Sequence, residues 1–262
     1  MGELRIDRIS KTYARREGWN STRYLHVFED VSFSVRDGEF VSLIGTSGCG
    51  KSTLLSIAGG LSEPTSGAVY VDGNQVKGPG LDRGIVFQEF ALFPWLTVLG
   101  NVAFGLGSQR LPKSERLARA KKYVDLVGLA GFEDYHPHRL SGGMRQRVGL
   151  ARALAIEPSA LLMDEPFGAL DAQTREAMQI ALSEIWSKTR NTILFITHDI
   201  REAVYLSDRV LVMSGRPAVV SLELNIDLPR PRLKHDAAFQ KYEAQLEAAI
   251  GHSRQDEKSE AV

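Results

Sequence analysis

The run Gly45-Thr46-Ser47-Gly48-Cys49-Gly50-Lys51-Ser52-Thr53 matches the spacing G-x-x-x-x-G-K-[ST], between an apolar stretch and a helical-looking one. Glycines let consecutive backbone N–H groups turn inward around an anion, and a following helix N-terminus adds its partial positive charge. In such a loop Lys51 pairs with the β- and γ-phosphates of a nucleotide, and the Ser52 hydroxyl ligates Mg²⁺. Further along, Ala160-Leu161-Leu162-Met163 runs into two adjacent carboxylates, Asp164 and Glu165, and then Pro166. At the end of a buried strand Asp164 can hold Mg²⁺ through its water shell. Glu165 can polarise a water for in-line attack on a γ-phosphate. Pro166 cannot continue the ladder and turns the chain away.

A second anion-binding terminus lies at Leu140-Ser141-Gly142-Gly143-Met144-Arg145-Gln146-Arg147, where a serine cap precedes two glycines that open a helical run. One nucleotide does not need two such termini from one chain. The spacing therefore predicts a head-to-tail pair of chains, each capping the nucleotide in the other's phosphate loop. Read alone, Ser-Gly-Gly is an ordinary loop before a helix. Cys49 inside the phosphate loop is either a reactive thiol that bound nucleotide would shield or a small space-filling residue.

These groups need elements to hold them. Residues 4–9 and 27–35 alternate as strands, with residues 14–26 read as a hairpin loop between them. Residues 40–44 form a buried strand ending at Gly45, and strands follow over 68–71 and 84–87. Residues 97–157 read mostly as helix; within 113–127 Leu117, Ala120, Val124 and Val127 fall at helical spacing. Beyond Pro158, strands over 160–163, 192–196 and 209–213 alternate with helices over 172–188 and 201–206. That alternation predicts a parallel sheet with helices on both faces. Leu228-Pro229-Arg230-Pro231-Arg232 reads as extended, residues 234–250 as an amphipathic helix, and the polar tail from Gly251 as disordered.

Hydrophobic residues make up 43% and charged residues 24% of 262, the balance of a soluble globular protein. Lys plus Arg and Asp plus Glu both number 32, which argues against a dedicated nucleic-acid binder. A single cysteine excludes an intrachain disulfide framework. The charged N-terminus does not resemble a signal peptide, and no apolar run nears the ~18 residues of a spanning helix. Any work at a membrane is expected to depend on a carrier.

With the phosphate loop, Leu140–Gln146, Asp164-Glu165 and His198 in this order, the chain resembles the ATP-binding cassette (ABC) ATPases over roughly residues 4–225. The resemblance implies an α/β P-loop NTPase fold: a RecA-like core, an antiparallel β subdomain and an α-helical signature subdomain. The ATP-binding domain is placed at 1–227, its helical part at about 92–157, with a C-terminal extension over 228–262 comprising a short helix and then a disordered tail. ATP and Mg²⁺ are the implied ligands, and the implied activity is ATP hydrolysis. By the same resemblance Tyr13 stacks on adenine, Ser141 and Gly143 contact the γ-phosphate across a dimer, and Asp171 lies at the dimer interface. Gln88 senses Mg²⁺ and the attacking water, and His198 contacts the γ-phosphate and orients Glu165. Met144 stands where the family signature usually carries glutamine, which bears on ribose contacts. The other histidines, His26, His136, His138, His235 and His252, carry no Cys or carboxylate constellation and are read as surface residues, without a transition metal.

The apolar run Glu89-Phe90-Ala91-Leu92-Phe93-Pro94-Trp95-Leu96-Thr97-Val98 is read either as a protein-binding groove or as core. It looks like that of bacterial importers for nitrate, sulfonates and taurine, as do Gly78-Pro79-Gly80 and residues 228–232. Those systems imply transmembrane permease subunits as partners and a dimer of ATPase subunits (two copies, or one with a related cassette). They also imply a periplasmic or lipoprotein solute-binding protein at one remove, no nucleic acid, and a peripheral place on the cytoplasmic face of the bacterial inner membrane. The alternative is a soluble ABC ATPase of the DNA-repair or Fe–S assembly type, for which no tandem cassette, coiled-coil insertion or basic face is visible.

Overall fold

The computed structural model describes residues 2–16 and 21–259, with side chains through residue 251. Its first strands, β1 (Leu4–Arg16) and β2 (Thr22–Val35), form an antiparallel hairpin. The loop expected over 14–26 is corrected here: pairing continues to Arg16 opposite Thr22, with Tyr13 opposite Leu25 and Ala14 opposite Tyr24. These outer residues are exposed on both faces, so they carry no alternation of apolar and polar types. The main-chain ladder and the β-favouring Thr22 and Tyr24 sustain the strands instead. Gly18 and Asn20, which suggested the loop, lie outside the described residues.

Two sheets follow. The smaller has the order β2-β1-β4-β5, with β4 (Ser66–Val71) and β5 (Asn74–Gln75) joined through Asp72-Gly73, both at positive φ as a tight hairpin turn requires. The larger has the order β10-β9-β3-β8-β7-β6. Its members are β3 (Phe40–Gly45), β6 (Arg83–Val86), β7 (Ala160–Asp164), β8 (Thr192–Ile196), β9 (Arg209–Ser214) and β10 (Val219–Asn225). All pair in parallel except the edge strand β10. β3, β8 and β9 are buried at every residue, as parallel strands covered on both faces must be. β10 adds a strand beyond those expected from the sequence, half exposed and half covered in alternation.

Helices cover that sheet. On one side α2 (Val98–Phe104), α3 (Lys113–Leu126) and α4 (Gly142–Ala155) pack through Val98, Val102, Ala120, Val124, Val148 and Ala151. Leu117 is exposed rather than part of this stripe, and Tyr123 takes a place in it. The Tyr123 hydroxyl donates to Glu157 Oε1 at 3.1 Å, and burial beside that carboxylate pushes its pKa up to about 12. α1 (Lys51–Ala58) follows β3, α5 (Ala172–Thr189) follows β7 and α6 (Ile200–Leu206) follows β8. α7 (Ala237–Ser259) continues beyond Gly251, and its Phe239 and Leu246 pack with Ile44, Val204, Val210 and Val212. Among the described residues no helix is long and apolar enough to cross a membrane.

Candidate functional site

β3, β7 and β8 end at the same edge of the parallel sheet, with Leu43 and Asp164 both in register with Ile196. Ligands in open α/β sheets bind at this carboxyl edge. After Gly45 the chain turns through Gly48 (φ 82°) and Gly50 (φ 99°) into α1. A Cβ on Gly50 would lie 2.5 Å from Val27 Cγ1 and 2.8 Å from Phe28 Cδ1, so glycine is required on both counts. No side chain caps α1, which leaves its N-terminal N–H groups to an anion. The buried Lys51 ammonium donates to the carbonyls of Gly45 and Thr46, each at 3.0 Å. Cys49, 1% exposed, packs beneath the loop with Lys51 Nζ 3.8 Å from its sulfur, and its burial favours the space-filling role.

Ser52 Oγ donates to Asp164 Oδ1 at 3.0 Å, so a hydroxyl from the helix start meets a carboxylate from the end of β7. Burial raises the Asp164 pKa, opposed by the Ser52 hydrogen bond and aided by the neighbouring Glu165 charge. Two hard oxygen donors converging beside a buried ammonium fit a magnesium nucleotide.

Glu165 sits at φ 42°, a conformation that costs a non-glycine residue about 1 kcal/mol. Its N–H is held by the Ile196 carbonyl at 3.0 Å and its own carbonyl by the Gly168 N–H at 3.0 Å. The turn aims the carboxylate at the ring following β8: His198 Nδ1 lies 3.0 Å from Glu165 Oε2. Gln88, exposed just after β6, reaches the same loop, since a Cβ on Gly168 would lie 3.2 Å from its Nε2 and 3.4 Å from the Glu165 carbonyl. A cleft of about 460 Å³ runs over the Ser47–Thr53 segment and is lined also by Tyr13, Glu165 and His198.

Three expected residues lie elsewhere. Ser141 caps α4, its Oγ accepting from Met144 N–H at 3.3 Å. Gly143 is pressed against Thr174, whose Cγ2 would be 2.6 Å from an added Cβ. Both line a separate hollow of about 430 Å³ with Met144, Arg147 and Thr174. Asp171 caps α5 through Thr174 N–H at 3.0 Å, and its bonds to Thr174 hold its carboxyl below the usual range. One chain thus presents the phosphate loop and the Ser-Gly-Gly terminus as two hollows, not one.

Some residues around the cleft escaped the sequence reading. Leu25 and Val27 wall it beside Tyr13, a placement visible only once Tyr13 is paired with Leu25. Arg175 donates to the carbonyls of Phe167 (3.3 Å) and Leu170 (2.9 Å), which fixes the segment between Glu165 and Asp171. The buried Glu202 accepts from Thr197 Oγ1 at 2.6 Å and Gln179 Nε2 at 3.1 Å, bracing the residue before His198. Burial raises its pKa, with the Thr197 bond opposing. The aromatic run divides between its two readings. Phe90 and Leu92 pack against the helical core, while Trp95 is 71% exposed and forms with Phe93 and Phe104 a surface cluster (ring centroids 5.5 and 4.2 Å). Asn101, wholly buried, ties this loop down through Phe93, Leu96 and Thr97.

Residues 28–168 match the ABC transporter family model. An ABC transporter ATP-binding protein of Methanocaldococcus jannaschii is 48% identical over 93% of this chain and 90% of its own length. The nitrate import ATP-binding protein NrtD of Synechocystis is 47% identical, covering 89% and 91%. The taurine import ATP-binding protein TauB of Burkholderia pseudomallei is 52% identical, covering 88% and 86%. Among solved structures, the dimeric ATP-binding cassette MJ0796 in a post-hydrolysis state bound to ADP and Pi is similar at TM-score 0.73 and 33% identity, over 86% of this chain and all of that one.

Proposed function

Because this chain belongs to the ABC transporter family, we propose that it is the ATP-hydrolysing subunit of an importer for a small anionic or zwitterionic solute of the nitrate, taurine or sulfonate kind. The observation that carries the reading is the convergence of Ser52, Asp164, Glu165 and His198 at one edge of the parallel sheet. Tyr13, Leu25 and Val27 form the wall for the base, and the N–H groups of residues 45–53 receive the phosphates. Lys51 exchanges its loop carbonyls for phosphate oxygens. Ser52 and Asp164, with Gln88 beside the Glu165 turn, would hold Mg²⁺, which would supply positive charge to neutralise the phosphates.

Glu165 is the group that polarises the attacking water, and His198, held against its carboxylate, keeps it aimed. Ser141 and Gly143 line a hollow separate from this chain's own cleft, and Asp171 does not line that cleft, so all three serve the nucleotide of a second ATPase subunit arranged head to tail. ATP then favours the closed pair because only that state gives the nucleotide both sets of contacts, which is the differential affinity a conformational drive requires. The exposed cluster of Phe93, Trp95 and Phe104 is the surface for a membrane-spanning permease, which would hold this chain peripherally on the cytoplasmic face of the membrane. A separate solute-binding protein would deliver the cargo to that permease. The test is mild-detergent copurification of the tagged chain from native membranes with mass spectrometry of its partners. A multispanning permease in near-equal amount is expected; a soluble partner alone would favour the soluble ABC alternative.

A further inference from the structure

The extended segment ahead of α7 is fastened to the back of the site. α6 starts one residue after Asp199 and ends at Leu206, so it is a short lever beginning two residues after His198. Its front is fixed by Asp199 Oδ1, which accepts from the N–H groups of Arg201 (2.8 Å) and Glu202 (3.3 Å), and by the Thr197–Glu202 bond. The carbonyls at a helix C-terminus have no partner within the helix. Here two arginines of the Pro-Arg-Pro-Arg segment take them. Arg230 donates to the Leu206 carbonyl at 2.6 Å and to Asp208 Oδ1 at 2.6 Å, with its guanidinium 4.3 Å from the Trp186 ring centroid.

Arg232 is more deeply placed, 5% exposed. It donates to the carbonyls of Val204 (2.6 Å), Ser207 (2.6 Å) and Tyr205 (3.4 Å). The same guanidinium reaches Ile226 (3.1 Å) and Leu228 (3.2 Å) in its own segment. Among the described residues its hydrogen-bond acceptors are all backbone carbonyls, an arrangement only a planar fork of five donors can satisfy. Burial, with Arg230 nearby, pushes its pKa down to about 10, so it remains charged at neutral pH. A cation there also complements the negative end of the α6 dipole.

We propose that Arg232 is a positioning residue for ATP hydrolysis, clamping the far end of α6 so that His198 stays against Glu165. The inference rests on the reading of Glu165 and His198 as the hydrolytic pair. The His198 side chain is 66% exposed and receives little packing of its own. Its place is therefore set by the backbone of β8 and α6, and the clamp acts on that backbone. The phosphate loop, which makes most of the phosphate contacts, lies on other elements, so the clamp bears on turnover far more than on how tightly nucleotide binds.

The test compares Arg232→Ala and Arg232→Lys with the unsubstituted full-length chain. ATP turnover, ATP binding by a fluorescent analogue and the His198 imidazole NMR resonance, assigned by its loss in His198→Ala, are read together. A misplacement near 1 Å can cost up to about 10²-fold in rate. The expectation is a kcat at least about tenfold lower in Arg232→Ala, nucleotide affinity within about twofold, and a displaced His198 resonance. Arg232→Lys should recover only part of kcat, because an ammonium keeps the charge without the fork. Should the alanine variant fail to fold, the lysine variant carries the same comparison, with a smaller loss of kcat and a displaced resonance expected. An unmoved resonance, an unchanged kcat or a parallel loss of nucleotide affinity in the folded variant would overturn the proposal. Wild-type turnover in His198→Ala would instead overturn the reading of the hydrolytic pair on which it stands.

Discussion

At the scale of single residues the proposed roles separate binding from hydrolysis. Glu165→Gln keeps the shape of the turn and the contact with His198 but removes the charge proposed to polarise water. Turnover should fall by about 10²-fold or more while ATP binding persists, measured by phosphate release beside equilibrium binding. Lys51→Ala should show the reverse order of effects, with binding lost first, because the buried ammonium belongs to the phosphate cradle. Tyr13→Ala should weaken ATP by up to roughly tenfold, the size of an aromatic stacking contribution, and Leu25→Ala by less; titration with ATP decides both. The phosphate loop and the two carboxylates were legible in the sequence because their chemistry lies in consecutive residues. Leu25, Arg175 and Glu202 were not, because they act across a strand pair, back onto a preceding loop or between helices, where residue type and spacing carry no signal.

At the scale of elements, the parallel core was readable from its apolar runs, since β3, β8 and β9 are covered on both faces. The ends of β1 and β2 were not, because a ladder exposed on both faces leaves no alternation to read, and β10 showed only the weak pattern of an edge. The stripe of α3 lost Leu117 and gained Tyr123, whose hydroxyl finds Glu157 and so tolerates burial. Between elements the buried Glu202 joins α6 to α5 and to Thr197. Its folded pKa lies above the unfolded one, so protonation stabilises the fold. That contribution is present in full below the ordinary carboxyl range and is lost as pH rises through the raised value. Wild type should therefore gain stability relative to Glu202→Gln as pH falls toward that range, measured by denaturant unfolding of both proteins at several pH values. A difference that stays flat with pH would contradict it.

At the scale of the whole molecule, one chain holds two half-sites that it cannot bring together: the cleft over the phosphate loop and the hollow at Ser141 and Gly143. On the proposed reading, two chains arranged head to tail satisfy both. The exposed surface around Trp95, proposed for the permease, lies on the loop between Gln88 and α2, and α2 packs against α4, the helix that Ser141 caps. Movement of the helical layer on closure would thus be felt at the membrane surface. The central claim is that ATP joins two copies through these half-sites, and sedimentation velocity of Glu165→Gln with and without Mg-ATP tests it most directly. The account predicts a monomer without nucleotide, a dimer with it, and a nucleotide-bound monomer when Ser141→Arg is added. A chain that stays monomeric with ATP bound, or a dimer that survives Ser141→Arg, would contradict it.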